Sequence, residues 1–231
     1  MTRFRILVSD YDLTLVDSLM DFYHAFAEAL RSRAGKSIDF DTFYRHFESD
    51  NLNDLIPERF DKNDFWRFFR AVYSSRFTYP YSYTSQFLRM VKSAGARVVI
   101  VTGRYTHSSS IWDDLRRFGL DEYVDEVYTA YDIHLMRGSE EYVFDKTWLL
   151  KWITSKHGAR PCEVVYVGDY TSDLKSALKA GVRFIGVARE DGRRKILEEN
   201  GARAFRDLVE VSIFLFSDTM LGLPCSARQA P

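Results

Sequence analysis

The sequence is poor in cysteine, carries almost no net charge and lacks any apolar run long enough to cross a membrane. Its two cysteines, Cys162 and Cys225, stand at no metal-type or redox spacing, so a reducing compartment is the simple reading. A net charge of -1 over 231 residues gives no pull towards nucleic acid or an anionic membrane. His24, His46, His107, His134 and His157 show no paired spacing, which argues against zinc. There is no internal repeat and no low-complexity segment. The first strand is expected within a few residues of Met1, leaving no room for a signal peptide. Together these absences make the cytoplasm the expected location. What remains is a chain that is 46% hydrophobic, enough for one sizeable core or a core with a small second domain.

The most informative stretch runs from Arg5 to Ser18, where an apolar run meets Asp10, Asp12 and Thr14. Alternate residues of an extended strand share a face, so Asp10 and Asp12 are expected to emerge together where the strand stops. Two carboxylates this close repel unless a cation lies between them or one is protonated. A second acidic cluster, Gly168-Asp169-Tyr170-Thr171-Ser172-Asp173, follows another apolar run. Oxygen ligands from Asp10 and Asp169 suit Mg2+, which takes few carboxylates and retains several waters.

Between these clusters the pattern changes character. After a first strand at 4–9, apolar residues recur at helical spacing from Leu19 to Leu30, stopped by Gly35, with Asp17 or Ser18 as cap. Further helices are expected over 41–47 and around Phe65 to Tyr73. No strand is evident from Val16 to Tyr79. Beyond Pro80, helices at 84–93, 108–118, 145–157, 171–180, 192–199 and 206–216 alternate with strands at 97–101, 126–130, 164–167 and 183–187. Such alternation implies a doubly wound parallel sheet of the α/β class covered on both faces. The expected organisation is an α/β core of residues 1–15 and 80–216, a small all-helical cap of 16–79 inserted after the first strand, and a tail of 217–231 that has little to pack against and is expected to be disordered. Sites in such sheets form beyond the carboxyl ends of the strands. Here those ends deliver Asp10 and Asp12, Thr102, and Asp169. Most cap aromatics, Phe22, Tyr23, Phe65, Trp66, Phe68 and Phe69 among them, are expected to form the cap's own core. Arg45, Arg67, Arg70 and Arg76 are read mainly as solvated surface.

In order along the chain, Asp10-Tyr11-Asp12-Leu13-Thr14, Thr102, Lys146 and Gly168 to Asp173 resemble the four motifs of the haloacid dehalogenase superfamily of phosphohydrolases, a resemblance spanning Arg3 to Leu215. Tyr170 is larger than the small residue expected at its place. The resemblance implies a Rossmann-like core, a helical cap, and a Mg2+-dependent phosphatase acting through an aspartyl phosphate on a small phosphorylated metabolite. It implies Asp10 as nucleophile, and Asp12 as acid and base with a pKa raised by its neighbour. It further implies Thr102 and Lys146 on the phosphate, and Mg2+ held by Asp10, the Asp12 carbonyl, Asp169 and Asp173. Gly103 and Arg104, directly after Thr102, join Thr102 and Lys146 as the expected substrate contacts. A phosphosugar mutase of the same architecture is the alternative, and a receiver-like phospho-acceptor module is less favoured. No nucleic-acid or membrane partner is expected, and the chain would be a monomer or homodimer.

Overall fold

In the computed structural model, residues 4–137 and 145–217 are described. The tail from residue 218 onward lies outside them, so the expectation of disorder there falls on residues that are not described. Strands β1 (Ile6–Ser9), β4 (Arg97–Thr102), β5 (Glu126–Thr129), β6 (Val164–Gly168), β7 (Arg183–Val187) and β8 (Arg203–Phe205) form a six-stranded parallel sheet in the order β5-β4-β1-β6-β7-β8. β1 lies at its centre, in register with β4 (Leu7 opposite Val98) and with β6 (Leu7 opposite Val165).

Period-two alternation sends each strand's apolar residues to both faces. On one face Leu7, Val98, Ile100, Val165 and Val167 pack on helices α4 (Thr84–Ser93), α5 (Ser108–Phe118) and α10 (Leu208–Phe216). On the other, Ile6, Val8, Val99, Val101 and Tyr166 meet α6 (Ala130–Arg137), α7 (Thr147–Lys156) and α8 (Thr171–Ala180). Helix α9 (Asp191–Glu199) follows β7. Both faces are therefore dry, as the continuous apolar strands require.

The polypeptide leaves the sheet through β2 (Val16–Asp17) and returns through β3 (Tyr79–Pro80), which pair antiparallel. This two-strand ribbon is absent from the sequence reading because two residues per strand are too few to show a period. Between its strands lie α1 (Leu19–Ala34), α2 (Phe40–Glu48) and α3 (Lys62–Val72), packed around Phe26, Phe43, Phe65 and Phe69. Gly35 closes α1 with φ 63°, the left-handed conformation that glycine adopts without a Cβ clash. Asp39 and Asp61 cap α2 and α3 through backbone N–H bonds. Buried Asp21 ties the return segment to α1. It accepts from the N–H groups of Arg76 and Phe77, both at 3.0 Å, and from Thr78 Oγ1 at 2.7 Å.

The helical segment rests on the core at close range. A Cβ added to Gly192 would stand 2.9 Å from Glu48 Cγ and 3.0 Å from its carbonyl oxygen, so only glycine allows α2 this near to α9. Thr171 Oγ1 donates to Asp50 Oδ2 across the same junction, at 3.1 Å. No helix among the described residues is long and apolar enough to cross a membrane.

Candidate active site

Four carboxyl-bearing residues arrive from two neighbouring strands. Asp10 follows β1, its N–H bonded to the Val167 carbonyl at 2.8 Å. Asp12 sits one turn of chain farther, and Leu13, with φ 59°, bends the backbone sharply behind it. Asp169 follows β6, and Asp173 lies in the first turn of α8. A Cβ on Gly168 would come within 2.8 Å of Asp173 Oδ2, so the glycine lets α8 press this carboxylate against the strand end.

Oxygens of Asp10, Asp169 and Asp173 lie within 4.8 Å of one another, and all three residues are buried. Lys146, just before α7, reaches them: its Nζ is 2.5 Å from Asp10 Oδ1 and 2.8 Å from Asp173 Oδ1. Tyr166 Oη accepts from Lys146 Nζ at 2.8 Å and donates to Asp173 Oδ1 at 2.6 Å. Burial, reinforced by the charges of Asp173 and Asp169, pushes the Asp10 carboxyl well above its ordinary range despite Lys146. Burial and Asp173 likewise push Asp169 up to about 7, against the pull of Arg193. Burial alone would lower the Lys146 ammonium, but Asp10 and Asp173 outweigh it and raise it.

Asp12 stands apart from this cluster. Arg104 grips its carboxylate at two oxygens, Nη2 to Oδ1 at 2.6 Å and Nε to Oδ2 at 2.9 Å, the planar fork that suits guanidinium and carboxylate. Tyr73 Oη adds a bond to Oδ1 at 3.2 Å. Burial acts to raise Asp12, yet Arg104 outweighs it and holds the carboxyl below the usual range. The expectation of a raised pKa is therefore corrected: Asp12 answers to the guanidinium beside it rather than to Asp10. Arg104 also donates to Ser75 and Thr78 in the return segment and approaches Asp114.

Thr102 is buried and donates to Asp12 Oδ2 at 3.3 Å. Gly103 and Arg104, its successors, line the cavity over the carboxylates, as do Lys146 and Tyr170. Of the cap arginines, Arg70 lines this cavity, whereas Arg45, Arg67 and Arg76 are exposed.

Sequence reasoning missed Arg193 and Tyr166. Arg193 Nη2 donates to Asp169 Oδ2 at 2.8 Å, while its guanidinium covers the Phe47 ring at 4.1 Å from the centroid. Its position in the first turns of α9, after the strand beside β6, was the available signal, because the carboxyl-end rule applies to that strand too.

The sequence pattern of haloacid dehalogenase-like hydrolases matches residues 7–187. A search of curated proteins finds no match. Among solved structures, a predicted phosphatase from Clostridium acetobutylicum superposes with a TM-score of 0.73 at 18% identity, covering 95% of this chain and 99% of that one. A predicted phosphoglycolate phosphatase from Haemophilus somnus gives 0.67 at 20% identity, over 91% and 97% of the two chains. A protein assigned as a β-phosphoglucomutase from Thermotoga maritima gives 0.61 at 21%, over 91% and 98%.

Proposed function

The chain belongs to the haloacid dehalogenase-like hydrolases, and we propose from this premise that it hydrolyses phosphomonoesters through phosphorylated Asp10. The observation that carries the reading is the buried group of Asp10, Lys146 and Asp173, with Lys146 Nζ 2.5 Å from the proposed nucleophile. Lys146 orients the Asp10 carboxylate and offsets the charge of an incoming phosphoryl group. Attack by an Asp10 oxygen forms one P–O bond and breaks the ester P–O bond, and the leaving alkoxide takes its proton from Asp12, which must first gain that proton from solvent because Arg104 favours its ionised form. Asp12 then takes a proton from the water that cleaves the aspartyl phosphate.

The donor set fits a divalent cation. Asp10, Asp169 and Asp173 bring three buried carboxylates together, against the two cationic side chains Lys146 and Arg193. An all-oxygen set of this kind suits Mg2+, and the resemblance adds the Asp12 carbonyl to the residues that would hold it. When bound, the ion supplies charge stabilisation for the transferring phosphoryl group.

Two expected results test this reading. Chelator abolishes turnover of p-nitrophenyl phosphate, and Asp169→Ala raises the Mg2+ requirement or eliminates activity; full activity without metal contradicts it. Lys146→Ala cripples turnover while Lys151→Ala does not, since Lys151 is exposed on α7; the reverse outcome removes Lys146 from the site. A mutase of the same architecture passes the phosphoryl group to a second hydroxyl. Stoichiometric release of inorganic phosphate distinguishes hydrolysis from that transfer.

A further inference from the structure

The cavity over Asp10 is large and mostly apolar. Its volume is about 390 Å³, in the range of ~300–1,000 Å³ that encloses drug-sized ligands rather than the smallest metabolites. From the cap, Phe22, Phe47, Trp66, Phe69 and Tyr73 line it, and Tyr105 and Tyr170 line it from the core. Many of these rings also serve the packing of the cap, where Phe22 and Phe69 lie 4.7 Å apart and Trp66 and Phe69 5.2 Å apart. That dual use holds the rings in place before any ligand arrives, which lowers the ordering cost of binding.

A hydrophilic leaving group fits such walls poorly. The hydroxyls of a phosphosugar would exchange water for ring faces and leave their hydrogen bonds unmade. The wall is not wholly apolar, however. Asn53, Lys62, Asn63 and Arg70 border the same cavity. Trp66 Nε1 donates to Asn53 Oδ1 at 2.9 Å, which fixes that amide and leaves its Nδ2 as the donor end. Aromatic faces combined with a few polar side chains match a planar ring bearing heteroatoms at its edge.

We propose that the substrate is the phosphate monoester of an alcohol carrying a heteroaromatic ring, with the phosphate at Asp10 and the ring among the cap aromatics. This rests on the phosphatase reading and adds the class of leaving group to it.

Matched esters that differ only in the ring test the proposal. Adenosine 5′-monophosphate is compared with ribose 5-phosphate, and flavin mononucleotide with ribitol 5-phosphate, all with Mg2+. Within each pair the reacting alcohol is the same. The expected result is a kcat/KM at least ~10-fold higher for the ring-bearing member of one or both pairs, as base stacking supplies. Trp66→Phe and Trp66→Ala should reduce that ratio progressively, with folding followed by far-ultraviolet circular dichroism. A ratio near one in both pairs, with turnover present, overturns the proposal while leaving the phosphatase reading intact. So does a ratio that neither variant changes.

Binding separates the two readings when turnover is lacking. Adenosine and riboflavin, which have no phosphate, are titrated against the wild-type protein by calorimetry. Saturable binding of either supports the ring site whatever the chemistry at Asp10, and absence of binding by both rejects it. No hydrolysis of any ester, p-nitrophenyl phosphate included, rejects the phosphatase reading alone.

Discussion

Asp10→Asn should reduce turnover by about 10³-fold or more, the scale seen when a covalent nucleophile is removed, while the protein stays folded. The amide keeps the size of the side chain but loses the charge and nucleophilicity needed to attack phosphorus. Stability should hold because Asp10 is an electrostatic burden. Burial and the nearby Asp173 and Asp169 push its carboxyl well above the ordinary range, so its ionised form is disfavoured in the folded chain. Lys146 would keep Asp173 and Tyr166 as partners, and no buried ammonium is stranded. A thermal midpoint equal to or above that of the wild type in chelator, with phosphate release lost, is the expected pair of results. Near-normal turnover would remove Asp10 as nucleophile. A collapsed midpoint would show that the Asp10–Lys146 pair is needed for the fold.

The carboxylates of the site were legible because topology does most of the placing. Apolar runs ending in Asp10 and Gly168-Asp169 can only be neighbouring parallel strands if the helices between them cross over, and β1 does pair with β6. Lys146 was legible from its place just before α7. Two elements escaped notice for physical reasons. Helix α6 follows β5 without a break, and its exposed Leu135 and Met136 blur the amphipathic pattern. Strand β8 is three residues at the sheet edge, too short for a period.

The Arg104–Asp12 pair could not be read in advance at all. Its geometry depends on Tyr73, Ser75 and Thr78 from the return segment, which are distant in sequence and carry no motif. Arg193 was only partly legible: its place after β7 pointed to the site, but its burial did not follow from the sequence. A guanidinium is a common surface group, and only the packing of α9 beside Asp169 buries it.

That unforeseen pair gives the Asp12→Ala variant a sharper expected outcome. Expulsion of an alkoxide needs a proton, and return of the enzyme needs a base for water. Arg104 holds Asp12 in its ionised form, ready as the base but unable to act as the acid until it gains a proton. An alkyl phosphate therefore depends on Asp12 twice. An activated aryl phosphate depends on it once, because its leaving group departs without protonation. In Asp12→Ala the first step should slow for the alkyl ester by about 10²-fold or more, within the usual range for a lost general acid. The burst of p-nitrophenol should stay near the wild-type rate, and phosphorylated Asp10 should then accumulate, because nothing takes the proton from water. Rapid quench and trapping of the phosphoenzyme measure both quantities. Folding must be followed alongside, since the substitution strands the buried Arg104 guanidinium beside Asp114 as its remaining acidic partner. The double variant Asp12→Ala, Arg104→Leu removes that charge as well. If it folds and still shows a fast aryl burst with accumulated phosphoenzyme, Asp12 is the acid and base. If both esters lose equally in the first step and no intermediate builds up, the carboxylate serves only to anchor Arg104 and the return segment.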